Sequence, residues 1–444
     1  MKNLTHPIWL FLFVFGISFA QQEKGIIGTD NWLKNWTEFN PNQEDPGEPT
    51  QILTGKISKD TKLSKREVYL LLGNVFVVDS ATLSIEPGTV ILADYKTKAS
   101  LTIAKGAKLM ANGSVTDPIV FTSNRDVKRA GDWGGIIILG DAPSNKFGNG
   151  SVASYFPDLN PSDYPKTNFG GANTESYSGV LSYVRIEYAG KRMRDGYFSG
   201  LLLAGVGSKT VLKNIMVSYS GANSFQVWGG NLTLDRLVSY KSSGNDFKFN
   251  FGTQVALNNS LAVRSPFVSS SYRARCLQVA SYDDQREVDF SKSLTHVKAE
   301  NITLLNESND LKGDISRGLV NEGVYVGKSA YLDMNKSVIS GFNPAVLFED
   351  GIVVNQQNLE KIKFTDMYFN NCNGNIYVEY NSNNEDLENW YGNSSFLNVY
   401  SKSANDETFI DMYNKKRPDY RLRINKIIAS EKDNLASEDI GAQP

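Results

Sequence analysis

The residues of this 444-residue chain that could do chemistry are few and scattered. Histidine occurs only at His6 and His296. His6 belongs to an N-terminal run expected to be removed, so a Ser-His-Asp or Cys-His arrangement would depend on His296 alone. A histidine-based zinc cluster is excluded by count. In Leu294-Thr-His-Val297 the imidazole reads as structural. The carboxylates suited to acid–base work are Asp235, Asp283-Asp284 and Glu349-Asp350, with Arg185, Arg236 and Arg264 as basic partners. A carboxylate pair about 5–9.5 Å apart across a groove would hydrolyse a glycosidic bond. Ca²⁺ with a Lys or Arg base would instead serve an acidic polysaccharide. The same acids fit solvated turns equally well. Tyr219, Trp228 and Tyr240 offer ring faces for stacking on a sugar, although rungs of an internal aromatic ladder are the plainer use. Ala204-Gly-Val-Gly207 has no helix after it and is not a nucleotide-binding loop. No set of residues amounts to a catalytic or metal-binding constellation. The candidate binding residues are Tyr219, Trp228, Tyr240, Asp246, Asp283 and Asp284.

Lys2, the apolar run Pro7–Ile17 and the small residues of Ser18-Phe-Ala20 form the pattern of a secretory signal peptide over residues 1–20, with Gln21 as the mature N-terminus. No cysteine follows that run to carry a lipid, and no later stretch reaches about 18 apolar residues. An exported protein is expected, placed in the periplasm, on the outer-membrane surface or outside the cell. A formal net charge of −2 gives no reason to expect a nucleic acid as partner. Cys276 and Cys372 are either a disulfide, which an oxidising compartment permits, or two buried thiols.

The elements that must position these residues are short strands. Ala81–Asp94 and Ala99–Asn112 look like copies at a spacing of 18, each alternating apolar and polar residues on both sides of a glycine. A copy this close suggests one coil stacked on the next. Val217–Phe225 and Val238–Phe247 match at a spacing of 21. That register predicts an interior column of Ile186, Val217 and Val238, an aromatic ladder of Tyr188, Tyr219 and Tyr240, and solvent-facing Glu187, Ser218 and Ser239. Further strand cores fall at 302–305, 323–326, 337–341, 345–348, 367–371 and 375–378. The fold expected is all-β, a right-handed parallel β-helix with face insertions and a C-terminal cap. It would comprise an extended leader over 21–54 pinned by Trp32 and Trp36, coils over 55–381 interrupted by an insertion at 141–178, and a cap and tail over 382–444.

Ala81–Ile91, Pro118–Ser123, Gly131-Asp-Trp-Gly-Gly135 with the apolar run to Gly140, Gly179–Gly190 and Leu202–Gly207 together resemble a family of Bacteroidota parallel β-helix proteins. The likeness is good over roughly 55–270 and looser beyond, and Gly-Asp-Trp-Gly-Gly is its most specific piece. It implies a cell-envelope or secreted protein associated with TonB-dependent outer-membrane receptors, and it supplies no catalytic residue. Members carry acidic pairs, suited to a cation such as Ca²⁺, in the turns after the tyrosines. Here those turns read Ala222-Asn223 and Gly244-Asn245-Asp246, so most of the carboxylates are missing. No cofactor is therefore expected. The function expected is a binding, accessory or structural component of the envelope that engages an outer-membrane receptor or a glycan. The alternative is a polysaccharide lyase or glycoside hydrolase, with the 141–178 insertion as the place for a cleft.

Overall fold

The computed structural model describes residues 24–43, 47–193, 196–268, 273–381, 384–414 and 416–423. The expected signal peptide and the tail beyond residue 423 lie outside the described residues. The chain folds as a right-handed parallel β-helix of three faces. One early coil shows the plan. Thr82–Ile85 lies on a first face and pairs with Lys108–Asn112. Val90–Ala93 lies on a second and pairs with Ile119–Ser123, and Ser100–Ile103 lies on a third and pairs with Gly135–Leu139. The stack continues in this order to Ile376–Val378, and Val399–Ser401 adds a last strand to the second face. Alternation turns every second residue inward. Leu83, Ile103, Ile186, Val217, Leu257, Leu304 and Phe369 thereby join one continuous core, which no coil could bury alone. Cys276 and Cys372 are buried free thiols in it. Trp133 is also in it, donating Nε1–H to the carbonyl of Glu187 at 2.8 Å. The two glycines after it are required: a Cβ on Gly135 would lie 2.2 Å from the carbonyl oxygen of Ser199.

The pairing corrects both sequence repeats. The copies 81–94 and 99–112 are not coils stacked on one another. Leu83 sits over Leu109, whereas Leu101 lies between Val75 and Ile136 on the third face. The 18-residue step carries the chain across two of the three faces. The copies look alike because each strand–turn–strand corner needs alternation around a left-handed glycine, Gly88 at φ 80° and Gly106 at φ 89°. The second repeat does mark successive coils, but one residue out of register. Met216 pairs with Val238 and Ser218 with Tyr240, and the partner of Val217 is Ser239. Ser239 therefore replaces Val238 in the inward column of Ile186 and Val217. The ladder survives the slip: Tyr188 stacks on Tyr219 at 5.4 Å, and Tyr219 meets Tyr240 edge-on at 5.6 Å. Glu187, Ser218 and Ser239 are buried rather than solvated. Ser239 points inward, and the other two face outward on a surface that is itself covered.

That covered surface is the second face. Its strands are apolar on both sides, as in Ile215-Met-Val217, Leu261-Ala-Val263 and Val338-Ile339, which is the composition of a parallel sheet buried twice. Outward Met216, Val238, Leu261, Leu305 and Tyr368 form a second core with Ile26, Leu33, Trp36 and Phe39 of the leader and Phe409, Met412, Tyr420 and Leu422 near the C-terminus. The leader is thus a strap. It begins against a late coil, where Lys24 Nζ lies 2.8 Å from the Asp366 carboxylate and both side chains are almost wholly buried. Gly25 N–H then donates to the Lys336 carbonyl at 2.8 Å. The Asn259 side chain bonds both backbone groups of Ile27, and Trp36 meets the Tyr183 ring edge-on at 5.8 Å. Asp366, Lys336, Asn259 and Tyr183 all occupy the corner between the first and second faces, each with positive φ. The strap runs along this corner against the direction in which the coils accumulate. A hairpin of Phe409–Asp411 and Asp419–Leu422 lies beside it, tied by Asn31 Nδ2 to the Pro418 carbonyl and Arg421 Nη1 to the Gly28 carbonyl, both at 2.7 Å.

The helix Glu385–Tyr391 sets Leu387 and Tyr391 against the late end of the main core. The 141–178 segment leaves at the corner between the third and first faces. It folds back over the early third face, where Val152, Phe156 and Phe169 pack on Phe76, Ile137 and Leu202. Among the described residues no helix is long and apolar enough to cross a membrane. If the strap holds the second face, Trp36→Ala lowers unfolding stability by about 3–5 kcal/mol. It also speeds proteolysis within 24–43, while half-buried Trp32→Ala does less. Urea titration with timed proteolysis measures both, and an unchanged midpoint for Trp36→Ala would remove the strap from the stabilising structure.

Candidate functional site

Of the six sequence candidates, the fold brings two together. Tyr219 and Tyr240 lie at the corner between the second and third faces and line a cleft of about 390 Å³. The strap contributes Phe39 and Asn40, and the hairpin region contributes Met412, Tyr413, Asn414, Pro418 and Tyr420. Phe39 stands edge-on to Tyr240 at 4.9 Å and accepts a hydrogen bond on its carbonyl from Tyr219 Oη at 3.0 Å. Lys241 and Glu307 complete the wall, their charged atoms 3.3 Å apart, and Tyr420 Oη lies 3.4 Å from the Glu307 carboxylate. Burial, then the neighbouring Tyr240 hydroxyl, pushes the Tyr219 phenol up to about 12. Burial likewise pushes Tyr240 and Tyr420 up, so all three rings stay neutral. Tyr413 remains 58% exposed and stands at the mouth. Phe39, Lys241, Glu307, Tyr413 and Tyr420 were not singled out from the sequence. The one local signal was Lys241, which follows Tyr240 directly.

The other candidates lie elsewhere. Trp228 is on the third face, covered by Tyr155, Phe169 and Phe251 at 5.7–6.0 Å, and takes no part in the tyrosine platform. Asp246 is fully buried. Its carboxylate accepts from Ser239 Oγ at 2.5 Å and pairs with Arg264 at 2.9 Å. Asp283 pairs with Lys248 at 2.8 Å. Asp284 caps the short helix Gln285–Glu287 and pairs with Arg286 at 2.6 Å, which draws its carboxyl down to about 2. Glu349 accepts from the Lys328 backbone at 2.6 Å. Asp235 is half-buried on the first face, and that burial raises its carboxyl pKa. His296, also on the first face, lies 5.6 Å from the Tyr331 ring, and burial lowers its pKa. Among the described residues no three His, Cys, Asp or Glu side chains gather as a metal site.

The third face beyond the insertion carries a second, shallower feature. Gln226, Lys248, Gln278 and Tyr325 stand in one outward row, one per coil. A depression of about 230 Å³ beside them is lined by Arg273, Arg275, Asn223 and Asn245. Its cations are engaged: Arg275 with Glu322 at 2.6 Å, Arg273 with Glu379 at 3.2 Å, and Lys248 with Asp283. The turn asparagines act as ladder residues. Asn223 Oδ1 accepts the backbone N–H of Asn245, and Asn245 Oδ1 accepts that of Arg275. A model of the pectate-lyase-like β-helix domain matches residues 55–409. The chain belongs to that family. The match runs from the first coils to the start of the hairpin, so it includes the third-face row and the coil side of the cleft, while the strap and hairpin walls lie outside it. No curated protein and no solved structure matched the chain.

Inside the solenoid, burial pushes the Asp246 carboxyl up while Arg264 opposes it. Replacing Arg264 by Met strands that carboxylate and costs about 3–5 kcal/mol at neutral pH. The sign of the pH dependence follows. A carboxyl raised in the folded state favours folding most at low pH, and that stability is lost as pH rises through the folded value. The deficit of Arg264→Met therefore shrinks on acidification, and adding Asp246→Asn restores most of the loss at neutral pH. Urea midpoints across pH check both, and a pH-independent deficit would mean the pair is not ionic.

Proposed function

We propose that this pectate-lyase-like β-helix is an exported binding protein of the cell envelope that takes a glycan in the cleft between strap, second face and hairpin. The observation that carries the reading is the lining itself. Tyr413, and the half-buried Tyr219, offer ring faces for the C–H surface of a pyranose, while Asn40, Asn309, Asn414 and the Lys241–Glu307 pair can reach hydroxyls around it. A concavity of this size with a few polar groups on an aromatic wall is the usual form of a small-ligand site. The N-terminal run supports export. The resemblance to envelope β-helix proteins supports a setting beside an outer-membrane receptor, on either side of that membrane.

Cleavage of a polysaccharide is the second reading. It is favoured by the basic residues Lys248, Arg273 and Arg275 around the third-face depression of a fold whose family is named for lyases. It would require Lys248, Arg273 or Arg275 to leave the carboxylate each now holds. Calorimetry with neutral, amino and uronate oligosaccharides tests binding, and assays for new reducing ends and unsaturated products, with and without Ca²⁺, test turnover. We expect binding without turnover. Tyr413→Ala weakens binding about tenfold, corresponding to the loss of one ring contact of ~1.4 kcal/mol, and leaves the melting temperature unchanged because the ring is exposed. Turnover on any glycan, or full affinity after Tyr413→Ala, would overturn the reading.

A further inference from the structure

The charges of the cleft specify the kind of sugar, an inference that rests on the glycan reading above. Glu307 and Lys241 are the charged side chains of the lining among the described residues. Both are largely withdrawn from solvent, at 19% and 25% exposure. The Lys241 ammonium is doubly held, 3.3 Å from the Glu307 carboxylate and 4.8 Å from the centroid of the Tyr240 ring. Carboxylate and ring face together make a cation site: the one supplies charge, the other the negative face of a quadrupole. Phe39, Tyr219, Tyr413 and Tyr420 add further rings and no second cation. The free protein therefore fills this site with a cation of its own, borne on a four-carbon stem flexible enough to leave.

We propose that the cleft selects a sugar bearing a protonated amine, a glucosamine-type unit, whose ammonium takes the place of Lys241 between Glu307 and the ring of Tyr240. The exchange conserves charge within the aromatic walls, because one ammonium replaces another on the same carboxylate. Lys241 turns outward into water, where its charge is solvated. A uronate fits badly, since its carboxylate would meet Glu307 and the negative ring faces. A neutral hexose gains the stacking but leaves the Lys241–Glu307 pair in place.

The test is calorimetric, on the full chain, with oligosaccharides of equal length built from glucosamine, N-acetylglucosamine, glucose and galacturonate. Glucosamine oligomers are expected to bind at least about tenfold more tightly than the two neutral series, and galacturonate most weakly. Glu307→Gln should bring glucosamine to within about threefold of glucose. Lys241→Met keeps the aliphatic packing on Tyr240 and removes the competing ammonium. It should tighten glucosamine binding several-fold relative to glucose. Melting curves establish that each variant is folded. Equal affinity of the wild-type protein for glucosamine and glucose would overturn the charge selection and leave the glycan reading standing. Weaker glucosamine binding by folded Lys241→Met would overturn the exchange. Binding of none of the four series would remove the glycan reading, and this inference with it.

Discussion

The structure depends on one constraint: the second face is apolar on both of its sides. Its inward side chains are satisfied by stacking, like those of the other two faces. Its outward row of Met216, Val238, Leu261, Leu305 and Tyr368 would otherwise be a long hydrophobic strip in water. Two segments remote in sequence, the strap and the C-terminal hairpin, exist to cover it. The strap follows the corner where successive coils turn on a single left-handed residue. Asn259, in one such position, uses its side chain to satisfy both backbone groups of Ile27. Asparagine tolerates that backbone conformation better than most residues, so the corner that bends each coil also presents polar groups to whatever lies along it.

This constraint explains how much of the architecture was legible in the sequence. Short strands, left-handed glycine corners and a solenoid core follow from alternation alone, and the strand segments were found where they fold. Register was harder. The side-chain period of a strand is two, so a match at 21 rather than 22 residues exchanges inside and outside. Val238 and Ser239 were exchanged in this way. The repetition of Val-Ser-Tyr masked the slip, because Tyr219 ends its strand in a left-handed corner while Tyr240 is still extended. The 18-residue copies misled for a different reason. Equivalent corners of one coil obey the same local rules as equivalent corners of successive coils, and only pairing tells them apart.

The candidate site was half legible for the same reasons. Tyr219 and Tyr240 were visible because they repeat. Glu307 sits beyond a strand in a turn with no counterpart, and Phe39, Tyr413 and Tyr420 come from outside the repeats, so no periodicity could point to them. Trp228 misled because its sequence position says nothing of the insertion that covers it. Asp246 misled in the opposite sense. A carboxylate in a turn suggests solvent or a cation, yet this one faces inward to Ser239 and Arg264.

The origin of the cleft has a thermodynamic consequence. Its walls come from the strap at Phe39 and Asn40, from coil residues such as Tyr219, Tyr240 and Glu307, and from the hairpin region at Met412–Asn414, Pro418 and Tyr420, so it is complete only when strap and hairpin are both seated on the second face. A ligand held there binds the strapped state and not the open one, and so stabilises the strap by mass action in proportion to how far its concentration exceeds its dissociation constant. The strap is in turn tied at its far end to a late coil by the buried Lys24–Asp366 pair. Cleft and late coil are thus joined by one covering segment, which turns tightly over residues 32–36 between them. The ligand would act on the covering layer alone, because no residue that lines the cleft belongs to the stacked core of the solenoid.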